Sequence, residues 1–582
     1  MTKTISRREF LKGSAAGVVG VALSSFIGGG VTAFATEDIP ADVIPDSTVT
    51  LNVYDQLANY SGEQIGWFGQ IMLEKFNVKL NIIDDQDGVY ESRMESGDLG
   101  DIVIWGSDGD EYIEAVNQGL LFDWEDEDLL SEYGPYILEH MEPALEKNRN
   151  LSGGTIYGYG FDVAVDADDT QDAMYTWDLR WDLYAQLGYP DINNLDDLLE
   201  VLIQMKELCP TDDNGNATYA MSIFPDWDGD MVMYVKSLAT AYYGYDEFGI
   251  GLYDPENGVY HNALEEDGPY LTTLRFYNKL YQNGLLNPDS MTQTYDNACE
   301  DYQNGGAFFN IFNFLGESMY NTDAHLADKE DGSMGGALYP RVPNEARPII
   351  YGQTIYGGNR IWSIGENTEY PELCMAILNW LSTPEGRLTF EYGPQDVCWY
   401  YDEEGYLYLT ELGASCKADV NTEMSDGYSG TFDDGSFKMN NTTWALDTIN
   451  LDSPVGETYN YQKWASQQTE ASTLVEADWR EWSGCTTFDA YVKTSNYMLS
   501  PGTDYSTSTK SDELQTTWSQ VTNCIKNGSW NAIYADSDEA FDEIVAQMTT
   551  DAYDYGFDDC IEFQENEATL RHEAEERALA GE

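Results

Sequence analysis

Apolar and polar positions alternate along TVTLNVYD, residues 48–55, the two-residue period of a strand with one covered face. GEQIGWFGQIMLEKFN then changes period. Ile65, Phe68, Ile71, Met72 and Phe76 recur at three- and four-residue spacing, which predicts a helix. VKLNIID predicts a second strand, YESRMESGD a helix end, DIVIW a third strand, and EYIEAVNQGLLFDW a helix closed at Gly119. This β-α-β-α order predicts a parallel sheet with helices on its faces. The third strand is a short apolar run that stops at Trp105-Gly106-Ser107-Asp108. Such runs belong to covered parallel sheets, whose ligands sit beyond the carboxyl ends of the strands. The strand end at Trp105 and Asp108 is therefore either a turn or one wall of a site.

From Tyr157 the pattern changes. TIYGYGFDVAV predicts a strand with aromatics on alternate positions. AMYTWDLRWDLYAQLGYPDINNLDDLLEVLIQMKEL predicts a strand and two helices joined at Gly188-Tyr189-Pro190. LTTLRFYNKLYQNGLL is helical to Gly284, GGAFFNIFNF is a strand reaching a polar tip, and RIWSIGENTEYPELCMAILNWLSTPEGRLTFEYG is a strand followed by a helix. Residues 420–470 are polar and rich in Gly, Asn and Thr, as loops are. The last hundred residues are mostly helical, and the charged tail from Glu565 is expected to be mobile. There is no internal repeat. A chain of this length exceeds one core and predicts two lobes. The pattern breaks place lobe one at 47–162 and 352–400, and lobe two at 163–351 and 401–582.

The amino terminus adds an address. Lys3, Arg7, Arg8 and Lys12 form a basic head, a Gly/Ala-rich apolar stretch follows, and Ala33-Phe34-Ala35 offers a cleavage site. This is the pattern of a removed export signal, residues 1–35, ahead of an acidic leader, 36–46. Ser6-Arg7-Arg8-Glu9-Phe10-Leu11-Lys12 resembles a twin-arginine signal, the alternative being an ordinary secretory signal with a chance Arg pair. An extracytoplasmic location follows, secreted or at the cell surface. No Cys near the cleavage site offers a lipid anchor, and no later apolar run is long enough to span a bilayer.

The formal net charge is −76. Residues 1–35 carry four basic side chains and Glu9, so the remainder is near −79. Acidic residues are spread along the whole chain, which reads as a solvated surface and excludes nucleic acid and anionic membranes as partners. The eight Cys, at 209, 299, 374, 398, 416, 485, 524 and 560, form no Cys-x-x-Cys pair, so zinc and iron–sulfur sites lack support. Their even number permits disulfides of unspecified pairing. None of the four His, at 140, 261, 325 and 572, lies in a nucleophile motif.

Seven segments, in order, carry a resemblance: RMESGDLGDIVIW, AVNQGLLFDW, GTIYGYGF, WDLRWDLYAQLGYPDINNLDDLLEVLIQMKE, RFYNKLYQNGLLNPDS, EYPELCMAILNWLSTPEGRLTFEYG and NGSWNAIYADSDEAFDEIVAQM. The chain resembles bacterial extracellular solute-binding proteins of ABC importers, the group that captures sugars and oligosaccharides. The resemblance implies an α/β, two-lobed, periplasmic-binding-protein-like fold. It has mixed sheets flanked by helices, crossover strands between the lobes and ligand in the cleft. It also implies a non-catalytic monomer, without a cofactor, that delivers its ligand to the transmembrane subunits of a permease. There are departures. CPTDDNGNATYAM is similar to a calcium loop of long members, with Asp212, Asn214 and Asn216 at ligand spacing. Ala217 replaces the turn Gly and no Glu stands at the twelfth position, which favours an ordinary polar turn over bound calcium. The usual anchoring Cys is missing, and twin-arginine export is uncommon for the family.

Sugars present apolar C–H faces and a rim of hydroxyls, so a sugar site needs flat aromatics and short polar hydrogen-bonders. Strand tips facing a cleft supply the candidates. Lobe one offers Tyr60, Trp105 and Asp108, and the crossover offers Tyr159 and Phe161. Lobe two offers Trp177, Arg180, Asp226, Trp227, Asp228, Asn310, Phe312 and Asn313, and the return segments offer Trp362 and Trp399. With 15 Trp and 42 Tyr, most aromatics must simply pack. Trp105 and Trp227 stand out because Gly/Asp turn chemistry surrounds them. Bland readings compete: Arg180 paired with Asp178 or Asp182, Phe312 in the core, and Asp226, Asp228 and Asp230 capping the helix that follows. Two other functions compete with binding. A secreted glycoside-active enzyme would use a carboxylate pair, yet the barrel or β-rich periodicity of such enzymes is absent. A twin-arginine cofactor enzyme would need a Gly-rich dinucleotide turn, a phosphate loop or metal-ligand clusters, and the sequence has none. A neutral saccharide suits the acidic chain better than an anionic one, and a cationic solute stays open.

Overall fold

The computed structural model describes residues 39–40, 42–86, 88–468 and 470–581. The expected export signal lies outside the described residues, as do residues 36–38 and 41 of the leader. The strands that frame the cores are β1 (Val49–Asp55), β2 (Gly62–Glu63), β3 (Val78–Asp84), β4 (Ile102–Trp105), β5 (Gly158–Gly160), β6 (Tyr175–Arg180), β7 (Phe309–Phe312), β8 (Leu338–Pro340) and β9 (Ile361–Ile364). Six of them form one mixed sheet in the order β2-β3-β1-β4-β9-β5. β1 is parallel to β3 and β4, and β9 is antiparallel to both its neighbours.

Side-chain alternation explains why β4 is apolar throughout. Ile102 and Ile104 pack with Leu51 and Val53 under helix α1 (Gly66–Phe76) and the helix Pro371–Ser382. Val103 and Trp105 point to the other face, under helix α2 (Asp110–Gln118), with Tyr54, Tyr112 and Ala115. A strand covered on both faces has no polar position to spare. α1 buries Trp67, Phe68, Ile71, Met72 and Phe76, and ends at Asn77 in the left-handed conformation, φ 55°, which its short polar side chain tolerates.

The second core surrounds an antiparallel sheet, β7-β6-β8. Its pairing shifts between Asn310 and Phe312, and opposite this bulge Trp177 takes φ 58°. A bulky residue in that region is strained. It is held there by full burial, with its ring against Tyr242 and Phe309. Helices α3 (Met233–Tyr243), α4 (Tyr295–Gln303), α5 (Gly316–Tyr320), α6 (Asp512–Ile533), α7 (Asp538–Asp554) and α8 (Phe557–Ala580) belong to this half.

The chain passes between the cores three times, near 163–173, 350–361 and 464–475. The first two passes lie side by side. The Phe161 N–H donates to the Arg360 carbonyl (2.9 Å), the Gly358 N–H to the Phe161 carbonyl (2.6 Å), and the Gln353 N–H to the Asp169 carbonyl (2.7 Å). Gly160 permits this approach, since a Cβ there would stand 2.2 Å from the Gly358 oxygen. Lys463 ties the third pass in through Asp172 and Asp447, both at 3.0 Å.

Two expectations are corrected. The stretch after 400, assigned to lobe two, remains in the first core as far as Trp464: Leu407, Cys416, Phe432, Trp444 and Tyr459 pack there with Trp67 and Leu388. Its loop-like composition hid apolar anchors set far apart. The tail from Glu565 is not loose either. In α8, Glu567, Ala574, Glu575 and Ala578 are buried, Arg571 pairs with Asp246, and the Tyr253 hydroxyl donates to Glu575 (2.6 Å). Its charges are spent on partners in the second core.

Candidate functional site

The expected aromatic candidates divide by burial. Trp105, Tyr159, Trp177, Trp362 and Trp399 are fully buried and cannot stack on a ligand. Trp105 lies edge-on to Tyr112 beneath α2. The Tyr159 hydroxyl is 2.9 Å from Ser382 Oγ. Trp362 Nε1 donates to the Thr442 carbonyl (2.5 Å) and Trp399 Nε1 to the Gly393 carbonyl (2.8 Å). These rings are core, corrected because each lies on a sheet or hairpin face that a second layer covers. Tyr60 is half-buried and its hydroxyl donates to the Glu63 carbonyl (2.7 Å).

Several polar candidates are structural as well. Arg180 is buried in a two-pronged pair with Asp182 (2.8 and 2.9 Å) and lies over the Tyr320 ring. Asn310 is buried, and its Oδ1 accepts from the Ile311 and Phe312 N–H groups at the bulge. Asp108 faces Lys147 at 3.7 Å, and that Lys also donates to the Gly357 carbonyl in the second pass. Asp212 closes its own loop: Oδ1 accepts from the N–H groups of Asn214 (2.9 Å) and Asn216 (2.7 Å), and Oδ2 from Asn216 Nδ2 (3.0 Å).

Trp227 is different. It is 47% exposed, and it stacks on Tyr295 at 4.6 Å between ring centres with 29° between planes. Phe224 meets it edge-on at 5.1 Å, and Phe314 lies 5.8 Å away, itself stacked on Phe312 at 4.8 Å. An exposed Trp backed by three rings is a flat apolar platform with an indole N–H at its edge. The flanking carboxylates hold it. Asp226 Oδ2 accepts from the Tyr295 N–H (3.0 Å) at the start of α4, where an anion also meets the positive helix end. Asp228 Oδ1 accepts from the Met233 N–H (2.7 Å) at the start of α3, and its Oδ2 from Trp530 Nε1 (2.7 Å). Burial pushes the Asp228 carboxyl above its ordinary range despite these donors. Both Asp are thus clamps for the loop. Asn313 lies beside Phe314 and donates from Nδ2 to the Ala173 carbonyl (3.1 Å).

The sequence reading missed Tyr295 and Phe314. Thr294, which caps α4 together with Asn297, marks Tyr295 as the first residue of a helix, and Phe314 closes NIFNF. Neither signal says that the two rings meet Trp227. Just after Phe314 in the chain, Glu317 meets Asp178 as a carboxyl pair. Asp178 is fully buried against Gly316, and burial together with the neighbouring Glu317 carboxylate pushes it well above its ordinary range. Burial raises Glu317 to about 7. With Asp178 sealed from solvent, this pair cannot act on two sides of a sugar bond as a glycosidase pair does.

No family model matches the chain. Among curated proteins it is similar to lipoprotein LipO of Bacillus subtilis (strain 168), 24% identical over 237 residues, 40% of this chain and 41% of that protein. The chain thus spans about two fifths of the length of the curated relative it matches. Among solved structures it is similar to the alginate-binding protein AlgQ2 without calcium ion, with TM-score 0.49, 17% identity, and 92% and 99% of the two chains covered. It is also similar to the S. pneumoniae ABC-transporter substrate-binding protein FusA in complex with kestose, with TM-score 0.49, 14% identity, and 90% and 99% covered. A third similar structure is the N-glycan transport solute-binding protein NgtS of Streptococcus pneumoniae, with TM-score 0.47, 17% identity, and 92% and 99% covered.

Proposed function

We propose that the chain is the extracytoplasmic solute-binding component of an ABC importer, which captures a sugar or oligosaccharide and hands it to the permease. The observation that carries this reading is the clamped, exposed Trp227 on Tyr295 and Phe314, a surface made to receive a sugar face. Two cores joined by three chain passes support it, because such a chain can close over a ligand by hinge motion. The saccharide names carried by the similar structures agree with it. In this reading the protein leaves the cytoplasm by the twin-arginine route, works as a monomer without catalysis, and uses the 212–216 loop as a turn. Neutral saccharides are the favoured ligands, since the net charge is −76. Thermal-shift screening of the mature protein against neutral, acidic and amino sugars and against peptides tests it. A saccharide that binds raises the melting temperature by mass action. A response to peptides alone would replace the saccharide reading.

A further inference from the structure

Asp and Glu make up 104 of the 582 residues, yet none occurs between Leu514 and Ala535, and Lys526 is the one charged residue in that interval. The interval is nearly the whole of α6. Its outer face carries Gln520, Asn523, Asn527 and Asn531, spaced three and four residues apart and so stacked along one side of the helix. All four are exposed, and none has a side-chain hydrogen bond to another described residue. A solvated surface of this acidic chain would be expected to carry carboxylates. A row of uncharged amides with no protein partner departs from that composition, and each can bond a ligand hydroxyl.

The amides line a groove of about 1100 Å3 between α6 and α7. Its floor is made by Gly528 and Met548: a Cβ on Gly528 would stand 2.5 Å from the Met548 sulfur, so the helices close together there only because the side chain is missing. Tyr534 and the 49% exposed Tyr555 also border the groove. Tyr534 is fixed by the Met291 N–H, which donates to its hydroxyl at 3.2 Å. From Gln520 to Tyr534 the helix advances about 21 Å, room for several sugar rings in a row. Asp536 and Asp551 line the groove as well, and no Lys or Arg does.

We propose that this groove is a second saccharide site, separate from the Trp227 platform, which holds a neutral glycan chain along α6. Each amide offers a carbonyl acceptor and an N–H2 donor, the pair that matches neighbouring hydroxyls. Asp536 and Asp551 accept from further hydroxyls. Uronic or sulfated chains are rejected, because two carboxylates and no cation face them. A cationic partner would find the acidic surface elsewhere better suited than the one wall that lacks acid. Trp530, a groove residue of α6, donates to Asp228 beside Trp227, so the groove helix is bonded to the loop that carries the platform. This inference rests on the saccharide reading, and the experiment separates the two.

The test is native gel electrophoresis through matrices containing dextran, starch, galactomannan or inulin, with polygalacturonate as the acidic control. Wild type, Trp227→Ala and the pair Asn523→Ala/Asn527→Ala are run side by side. The expected result is retardation of wild type and Trp227→Ala by at least one neutral polymer. A tenfold or greater loss is expected in the amide variant, and no retardation by polygalacturonate. The amide variant keeps its melting temperature, because the replaced groups are exposed and unbonded. If none of the four neutral polymers retards wild type, or the amide variant is retarded as wild type is, the proposal is overturned. Retardation lost in Trp227→Ala alone also overturns it, by moving the site to the platform. Self-association abolished by the amide variant would overturn it in favour of a second copy as occupant. Groove retardation with no saccharide response that depends on Trp227 would instead fail the importer reading and leave the groove.

Discussion

Trp227 leaves nearly half of a large apolar ring facing water while its neighbours pack, and the proposed saccharide contact makes this residue the first to test. Trp227→Ala is expected to weaken saccharide binding by about 1–3 kcal/mol, roughly ten- to a hundredfold, with little change in a urea melt. Calorimetric titration beside the melt checks this. A collapsed melt with unchanged affinity would return the ring to the core. Glu317 gives a second residue-scale prediction. Its folded carboxyl titrates at about 7 against an ordinary 4.5, so between those values the folded state holds a proton that the unfolded chain has released. Stability is therefore full below the unfolded value and falls as pH rises through this window, by up to about 3 kcal/mol. Asp178, shifted the same way, adds to the same slope. Urea midpoints at pH 5 and pH 7.5 are expected to differ in wild type and to differ less in Glu317→Gln, the remaining slope belonging to Asp178. A slope that persists unchanged assigns the effect elsewhere.

At the scale of elements, the loop that carries Trp227 works because two helices begin on it. Asp226 accepts from the first N–H of α4 and Asp228 from the first N–H of α3, while Asp228 also holds Trp530 of α6. Asp228→Ala removes the acceptor at the start of α3 and leaves a buried indole N–H unpartnered, together costing about 2–4 kcal/mol. The same change frees the platform, so saccharide affinity is expected to fall along with stability, unlike the Trp227→Ala pattern. Denaturant melts and titrations on both variants distinguish the clamp from the contact. The strained Trp177 is an element-scale feature too: the bulge opposite Asn310 turns the end of β7, and β7 leads into Phe314.

For the whole molecule, closure is the defining prediction. The first two passes bond side by side, Lys463 holds the third, and Ala578 of α8 packs on the first two, so these are the segments that must flex for the two cores to approach. Saturating saccharide is expected to lower the radius of gyration in small-angle scattering without changing the circular dichroism. An unchanged radius would argue for a rigid module. Export belongs to this scale as well. Arg7→Lys with Arg8→Lys is expected to trap the precursor inside the cell, as read by fractionation and immunoblotting, and normal export of that double variant would assign the ordinary secretory route.

Much of the architecture was legible along the chain because it is written in local periods. The alternation in β1 and β3, the helical spacing of α1 and the apolar run of β4 each need only their own neighbours to be read. Turn chemistry singled out Trp227 for the same reason, since short carboxylates beside a large ring suit a capped loop. Trp105 carries the same local signature and is core, because α2 covers the second face of its sheet, and no local pattern records what covers a face. The lobe boundary near 400 and the docking of α8 were hidden likewise: Leu407, Phe432 and Trp444 find the first core, and Arg571 and Glu575 find Asp246 and Tyr253, across hundreds of residues. The platform depends on the same long-range packing. The sequence by itself determined the elements, the acidic surface and one exposed ring. The meeting of that ring with Tyr295 and Phe314, and of four amides with a groove, was decided by tertiary structure alone, because burial and stacking are properties of surfaces that meet only after folding.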